Sequence, residues 1–331
     1  MKLSIGIVGL PNVGKSTLFK LLTKQNILIA NYPFATIDPN VGVVPVADER
    51  LGTLAKLSNS KKVIPAVVEF YDIAGLVKGA NKGEGLGNQF LSHIRECQAI
   101  VVVLRVFADS TVVHVEQSVD PVRDMEIINA ELALKDLETV EKRFKKLEGE
   151  ARTGDKHAAK SFEVLKEVKK SLEAGEAIVN FRNEEIVLEL ALLSAKRRFY
   201  LLNGEQEEVS EALKAKIKER GEDYIVANVA LADEFPELTR KAYEVLGLIS
   251  FFTTGEDETR AWTITRGDKA PQAAGVIHTD FEKNFIRAEV VSYDALVAAG
   301  GWNKAKEKGL LRLEGKDYVV QDGDVIVVRH G

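Results

Sequence analysis

One loop motif constrains the fold of this chain more than any other feature. The residues from Gly9 to Thr17 read GLPNVGKST, which matches the pattern G-x-x-x-x-G-K-[S/T]. A near-continuous apolar run, Leu3 to Val8, precedes the motif, and leucines at helical spacing follow it. This motif wraps backbone N–H groups around a phosphate when it lies between a buried strand and a helix. The sequence therefore predicts a phosphate-binding loop.

Each fixed position of the motif has a chemical task. The glycines let backbone N–H groups turn inward, Lys15 is expected to reach the β and γ phosphate oxygens, and the Ser16 hydroxyl is expected to ligate Mg²⁺. We therefore predict a catalytic role for Lys15. The predicted nucleotide-binding residues of the loop are Asn12, Val13, Gly14, Lys15, Ser16 and Thr17.

Two further segments support a nucleotide switch. Asp72-Ile73-Ala74-Gly75 follows an apolar run of strand length, so Asp72 can hold Mg²⁺ through water and Gly75 can offer its N–H to a γ-phosphate. Thr36, in the loop 31–36, can supply a second hydroxyl to the metal. We predict that loops 31–36 and 75–88 switch with the nucleotide. The predicted metal ligands are Ser16, Thr36 and Asp72.

Composition limits the class of protein. The chain has 331 residues, of which 45% are hydrophobic and 29% charged, as in a globular protein of two or three domains. No apolar run approaches the roughly 20 residues that span a bilayer, and the N-terminus has no signal-peptide pattern. The single cysteine, Cys97, cannot form an internal disulfide. We expect a cytoplasmic protein with no membrane partner.

Hydrophobic patterning predicts an α/β domain with a helical insertion. Residues 66–71 and 99–104 are apolar runs typical of strands buried on both faces, as in a mostly parallel sheet between helices. Residues 125–172 instead carry apolar side chains three or four apart, with a break near residues 152–155. Strand character then returns at residues 198–202 and 224–227. The break predicts an antiparallel helical pair inserted into the α/β domain.

The C-terminal part has a different texture. Residues 251–254 and 260–264 flank a glycine-containing turn, and residues 317–320 and 324–328 flank Gln321-Asp322-Gly323. Both patterns are hairpin signals, so we expect a small α+β domain here. The predicted domains are residues 1–124 with 178–246 for nucleotide binding, 125–177 for the helical insertion and 247–331 for the C-terminal domain.

These motifs, taken with the glycine-rich run GLVKGANKGEGLGN at residues 75–88, resemble the YchF / Obg-like ATPase family of P-loop NTPases. Residues 260–264, 270–275 and 277–283 resemble the TGS domain of that family. The resemblance implies a β-grasp fold for residues 247–331. It also implies a cytosolic enzyme that hydrolyses ATP, GTP or both with Mg²⁺ and associates with the ribosome or rRNA.

The sequence departs from ordinary GTPases at the water-positioning residue. Leu76 follows Gly75, where many GTPases have a glutamine that orients the attacking water. The family is thought to use a histidine, and His114 matches its position. A histidine flanked by valines also suits a structural role, and His93 is a weaker alternative. A ribosome-binding protein that holds nucleotide as a slowly hydrolysed structural ligand therefore stays open as a second function.

The base-recognition motif is also unusual. The guanine-reading pattern N-K-x-D is absent from the sequence, and Asn203-Gly204-Glu205-Gln206 stands at its expected place. A glutamine amide can both donate and accept, whereas guanine selectivity needs an anionic acceptor. We predict base contacts from Asn203 and Gln206 and expect ATP to bind at least as well as GTP. Asn203 is equally well explained as a turn residue before glycine.

Two features concern ions and partners. Asn12 matches an asparagine that potassium-dependent relatives use as an ion ligand, so the resemblance implies K⁺ as a possible cofactor. The whole chain has a net charge of −5, but residues 142–170 carry ten Lys or Arg against five Asp or Glu. This window is either an rRNA contact or a solvated helix surface. No readout of DNA sequence is expected.

Overall fold

The computed structural model describes residues 3–24, 40–72, 93–108, 118–152 and 154–331. The chain divides into two compact units. The first consists of Met1–Val44 and Glu69–Phe235, and the second consists of Pro45–Val68 and Pro236–Gly331.

The helices and strands alternate through the first unit and then give way to a strand-rich second unit. In chain order, the elements as far as residue 227 are β1 (Ser4–Val8), α1 (Lys15–Lys24), β2 (Val41–Pro45), α2 (Glu49–Ser58), β3 (Lys62–Ile64), β4 (Val67–Asp72), β5 (Ala99–Arg105), α3 (Pro121–Arg152), α4 (Lys156–Glu173), α5 (Glu185–Glu189), β6 (Arg197–Asn203), α6 (Glu211–Glu219) and β7 (Asp223–Ala227). The remaining elements are α7 (Pro236–Leu246), β8 (Leu248–Thr254), β9 (Glu258–Thr265), α8 (Ala270–Ile277), α9 (Thr279–Lys283), β10 (Phe285–Ser292), α10 (Tyr293–Ala299), α11 (Trp302–Glu307), β11 (Arg312–Glu314) and β12 (Asp324–His330).

The first unit is built on a six-stranded sheet in the order β2-β4-β1-β5-β6-β7. Strand β1 pairs in parallel with β4 and β5, and β6 pairs in parallel with β5 and β7. Every residue of β1 and β5 is buried, as expected for strands covered on both faces. The prediction of a mostly parallel α/β sheet is confirmed. The carboxyl ends of β1, β5, β6 and β7 consequently open at one edge.

Helices α3 and α4 form the inserted pair. Their shared core contains Val140 and Leu147 from α3 and Leu165 and Val168 from α4. Three residues of sequence separate the two helices, and the side chain of Asp155 caps α4 by accepting backbone N–H groups of its first turn. This seam agrees with the apolar spacing in the sequence. Among the helices that the structure describes, none combines the length and the hydrophobicity of a membrane-spanning segment.

A buried carboxylate fastens α3 to the turn that precedes β6. Asp136 has no exposed surface, and its oxygens accept the backbone N–H groups of Leu193 at 2.8 Å and Ser194 at 2.7 Å and the Ser194 hydroxyl at 2.5 Å. Burial raises the pKa of Asp136, while the hydrogen bonds from Ser194 and Leu193 oppose that rise. The root of the helical pair is thereby held against the sheet domain.

The second unit contains another six-stranded sheet, in the order β11-β10-β12-β8-β9-β3. Strands β8 and β9 form an antiparallel hairpin, β12 pairs in parallel with β8, and β10 pairs antiparallel with both β11 and β12. Helix α8 packs on one face, where its Ala273 and Ala274 meet Phe251 and Ile264. Strands β8 to β12 thus have the β-grasp arrangement that the family resemblance implied.

Residues 45–68 complete this second sheet, although they come from the N-terminal half of the chain. Strand β3 pairs in parallel with β9, and α2 contacts β8 and β9. The Arg50 guanidinium lies 5.1 Å from the ring centroid of Phe252 and pairs with Asp48 and Asp322. The predicted domains assigned this segment to nucleotide binding. The structure differs because α2 covers the Phe252 face of the β-grasp sheet, opposite α8.

The second predicted hairpin is wrong. Residues 317–320 make only an isolated bridge, between Val319 and Lys269, and do not pair with β12. A strand has two edges, and those of β12 are occupied by β10 and β8. The predicted turn at residues 321–323 is present, and the Asp324 carboxylate accepts the backbone N–H of Gln321 at 2.9 Å. A turn signal next to a strand therefore did not identify the partner of that strand.

We predict that Asp136→Ala lowers the free energy of unfolding by about 3 kcal/mol, because it leaves the buried N–H groups of Leu193 and Ser194 without acceptors. Urea denaturation measures the change. Asp155→Ala is the matched control, since Asp155 also accepts two backbone N–H groups but lies in solvent, and its loss should cost about 1 kcal/mol. Equal losses in the two variants would contradict the role of burial.

Candidate functional site

The phosphate-loop motif lies where its sequence context predicted. Strand β1 ends at Val8, helix α1 begins at Lys15, and the first helical hydrogen bond runs from the Leu18 N–H to the Gly14 carbonyl at 2.9 Å. Gly14 has φ of +103°, a conformation that side chains rarely adopt. A Cβ at Gly9 would lie 2.7 Å from the Val103 carbonyl oxygen. Both glycines are thus required by the geometry of the loop.

Lys15 lies in the loop with 7% of its surface exposed. Its Nζ donates a hydrogen bond to the Leu10 carbonyl at 2.7 Å. Burial lowers the pKa of Lys15 to about 8, and the nearby Asp72 carboxylate partly opposes that fall. Burial also raises the pKa of Asp72, and Lys15 opposes that rise. The two charges therefore attract each other in a partly desolvated site at the ends of β1 and β4.

Asn203, at the end of β6, joins three parts of the site. Its Nδ2 donates to the Val13 carbonyl at 2.9 Å, and its Oδ1 accepts the Val229 N–H at 3.1 Å. A Cβ at Gly14 would lie 2.3 Å from the same Nδ2, so the absence of a side chain at position 14 allows the contact. The Asn203 side chain is therefore a link between the phosphate loop and the loop after β7.

A cavity of about 600 Å³ runs along this edge of the first sheet. The phosphate loop forms one end, and the segments that follow β6 and β7 form the other. The residues that line the cavity are Asn12, Gly14, Lys15, Ser16, Thr17, Phe107, Asn203, Glu205, Glu208, Asn228, Val229, Ala230 and Leu231. Its length from phosphate loop to distal segments suits a ligand with a charged phosphate end and a separate ring.

The predicted site residues divide into three groups. Five phosphate-loop positions and Asn203 line the cavity, whereas Val13 is buried beneath it and contributes its carbonyl. Gln206 is exposed and is absent from the cavity lining. The predictions for Thr36, Gly75 and His114 fall outside the described residues. His93 is described and exposed.

At the far end of the cavity, the sequence predicted Asn203 but not the other lining residues. Phe107 follows β5, Glu205 and Glu208 follow β6, and residues 228–231 follow β7. The signal that was available is topological, since ligands of open α/β sheets bind outside the carboxyl ends of the strands. Every segment directly after a predicted strand of the first sheet was therefore a candidate.

Comparisons with known proteins agree with this site. A family model described as "50S ribosome-binding GTPase" matches residues 4–142, and the YchF-GTPase_C model, described as a protein of unknown function, matches residues 248–331. The "Ribosome-binding ATPase YchF" of Bacillus subtilis (strain 168) is 48% identical to this chain and covers 99% of both sequences. This chain belongs to the YchF family.

Other members of the YchF family extend the match. The "Obg-like ATPase 1" of Oryza sativa subsp. japonica is 43% identical over 98% of this chain and 91% of its own length. The solved structure of the Schizosaccharomyces pombe YchF GTPase is 39% identical, covers 99% of this chain and 98% of its own, and superposes with a TM-score of 0.85. The family assignment thus rests on both units of the chain.

We expect Lys15 to titrate with a pKa of about 8, because burial disfavours its ammonium form. Asp72→Asn should lower this pKa further, since the mutation removes the attracting carboxylate. NMR titration of ¹³C-labelled lysine, with the signal assigned through a Lys15→Met variant, measures both values. Asp120→Asn, which changes an exposed carboxylate of the same unit, should leave the pKa of Lys15 unchanged. An equal effect of the two mutations would contradict the Lys15–Asp72 interaction.

Proposed function

We propose that this chain is a ribosome-associated nucleoside triphosphatase that binds and hydrolyses ATP, with GTP as a second substrate. The observation that carries the proposal is the continuous cavity between the phosphate loop and the loops after β6 and β7, with the buried Lys15 at its phosphate end. We infer the association with the ribosome and the preference for ATP from relatives whose names include "Ribosome-binding ATPase". We place the reaction in the cytoplasm.

The phosphate loop supplies the positive side of the site. In the proposed complex, backbone N–H groups around Gly14 and the start of α1 surround the phosphates, where the helix N-terminus favours negative charge. The ammonium of Lys15 exchanges its bond to the Leu10 carbonyl for the β and γ oxygens. Because the phosphates are anionic, their arrival favours the charged form of a lysine whose pKa burial has lowered.

The donor set beside the loop fits Mg²⁺. The Ser16 hydroxyl lies at the start of α1 and the Asp72 carboxylate at the end of β4, and hard oxygen ligands of this kind suit magnesium. We propose that Ser16, Thr36 and Asp72 hold the ion, directly or through water. The bound ion would neutralise charge that develops on the transferred phosphoryl group.

The attacking water needs a partner other than the residue after Gly75, because Leu76 has neither a donor nor an acceptor in its side chain. We propose that His114 orients this water and that the Gly75 N–H contacts the γ-phosphate. Loops 31–36 and 75–88 would order around the intact triphosphate and relax after hydrolysis. The helical pair and the C-terminal unit would then report the state of the nucleotide to the ribosome.

We predict that Lys15→Ala reduces the rate of ATP hydrolysis by about a hundredfold or more, because the positive charge at the transferred phosphate is lost. Steady-state phosphate release measures the rate, and the expected result for the unaltered chain is turnover dependent on Mg²⁺. Lys20→Ala is the control, since Lys20 is exposed on the same helix. Full activity of Lys15→Ala would contradict the proposed role of Lys15 at the transferred phosphate.

We further propose that Asn12 contributes a ligand to K⁺ beside the phosphates. Asn12 is exposed, lines the cavity and has φ of +64°, a conformation that asparagine tolerates better than most residues. Replacing potassium by sodium at constant ionic strength should lower the turnover of the unaltered chain. The same exchange should have little effect on Asn12→Ala. Equal rates in the two salts for the unaltered chain would exclude this role.

We propose that the tip of the helical pair, residues 142–160, contacts rRNA. The two arginines of α3 near the tip are neutralised, since Arg143 pairs with Glu150 and Arg152 pairs with Glu148. Five neighbouring lysines are exposed and have no ion-pair partner among the described residues; these are Lys142, Lys145, Lys146, Lys156 and Lys160. The excess positive charge is therefore carried by flexible ammonium groups, which suit phosphate contacts that do not read sequence.

We predict that the double charge reversal Lys145→Glu and Lys146→Glu weakens ribosome binding. The dependence of log affinity on log salt concentration should flatten by about 2, because two phosphate contacts are lost. Ribosome cosedimentation across a salt series measures both quantities. Reversal of Lys304 and Lys306, which are exposed on α11 in the second unit, is the matched control. If the tip variant binds the ribosome as well as the unaltered chain does, the proposed rRNA contact is contradicted and the tip is a solvated helix surface.

The second candidate function is a ribosome-binding protein that holds nucleotide as a slowly hydrolysed structural ligand. Leu76 favours it, because the chain lacks the usual water-orienting glutamine after Gly75. Turnover measured with and without ribosomes separates the two functions. A regulatory hydrolase should be faster in one of these conditions, whereas a structural ligand should turn over slowly in both.

A further inference from the structure

The base end of the cavity holds polar groups that the sequence motif did not indicate. The phosphate loop occupies one end, so the ring of a bound nucleotide would lie toward the segments after β6 and β7. There, the amide of Asn203 already bonds Val13 and Val229 on its two sides. Gln206, the other predicted base contact, is exposed and does not line the cavity. Recognition of the base must therefore involve other groups.

Two glutamates take the place of Gln206 in the cavity wall. Glu205 Oε1 accepts a hydrogen bond from Asn228 Nδ2 at 3.0 Å, so its carboxylate is tied to the loop after β7. Glu208 Oε2 accepts the backbone N–H of Glu205 at 2.8 Å. Of the two oxygens of Glu208, Oε1 has no partner among the described residues. One oxygen of Glu208 is thus bonded to the backbone, and the other is available to accept a hydrogen bond from a ligand in the cavity.

Gly204 makes room for this carboxylate. A Cβ at position 204 would lie 2.6 Å from Glu208 Oε2 and 2.6 Å from Val106 Cγ2. The φ of Gly204 is +152°, at the edge of the region that glycine adopts readily. The short turn from β6 into residues 206–208 therefore needs glycine at position 204, both for the space beside Glu208 and for the positive φ.

We propose that the Glu208 carboxylate is the specificity-determining acceptor for the 6-amino group of adenine. A carboxylate only accepts hydrogen bonds, and adenine offers a single amino group on its outer edge. Guanine is usually held by a carboxylate that uses both oxygens for its N1–H and 2-amino groups. Glu208 Oε2 already accepts the Glu205 N–H, so a guanine held through both oxygens would have to share Oε2 with that N–H, whereas the adenine amino group needs only Oε1. A guanine O6 placed beside this anion would also be repelled.

This inference rests on the proposed function, since it deepens the role of the same cavity. Its test compares ATP with purine riboside triphosphate, which lacks the 6-amino group but is otherwise identical. Titration calorimetry with the full chain gives both dissociation constants, and GTP is measured in parallel. Glu208→Ala removes the acceptor, and Gln206→Ala, which lies on the same exposed turn but outside the cavity lining, is the matched control. Thermal melting confirms that each variant is folded.

We expect Glu208→Ala to raise the dissociation constant for ATP by about tenfold to a hundredfold, the range for loss of a hydrogen bond to a charged group. The dissociation constant for purine riboside triphosphate should be the same in the unaltered chain and in Glu208→Ala. The Glu208→Ala variant should therefore no longer prefer ATP over purine riboside triphosphate. Gln206→Ala should keep the preference. An unchanged ATP preference in Glu208→Ala, an equal loss for both nucleotides, or loss of the preference in Gln206→Ala would overturn the role of Glu208.

The two proposals fail in different ways. If the unaltered chain binds none of the three triphosphates, the proposed function fails and the specificity inference falls with it. If the unaltered chain binds ATP and purine riboside triphosphate equally, nucleotide binding stands and only the inference about Glu208 is overturned.

Discussion

The buried amide of Asn203 is the interaction on which the nucleotide end of the molecule depends. It bonds the phosphate loop through the Val13 carbonyl and the loop after β7 through the Val229 N–H. Parallel strands bring their carboxyl ends to one edge of a sheet, but the loops at that edge have no backbone ladder to hold them together. One side chain with both a donor and an acceptor supplies that link, and Gly14 leaves the space for it.

The cavity that results is electrostatically polarised. Its phosphate end holds backbone N–H groups, a helix N-terminus and the buried Lys15, while Glu205 and Glu208 place carboxylates at the other end. A ligand with anionic phosphates and an amino-bearing ring is complementary to this arrangement in one orientation only. Reversing the ligand would place phosphate beside two carboxylates. The charge distribution thus supports the same orientation as the topology of the sheet.

The second unit shows how a domain can be discontinuous in sequence. Its β-grasp sheet comes from the C-terminal part of the chain, but α2 and β3 come from residues 45–68. Leu51 and Leu54 of α2 are buried, which stabilises the sheet through apolar contact. Along the chain, this segment comes between β2 and β4, two strands of the first sheet. The two units are therefore linked by three passages of the chain, at residues 44–45, 68–69 and 235–236.

The sequence by itself determined the phosphate loop, the buried strands, the helical pair and the β8–β9 hairpin. Each of these depends on residues close together in the chain, so spacing and turn chemistry were sufficient to predict them. Only the tertiary structure decided that Glu208 rather than Gln206 faces the cavity, that β12 pairs with β8 and β10, and that residues 45–68 belong to the β-grasp unit. These features depend on which distant backbone edge or face is available, and no local pattern carries that information.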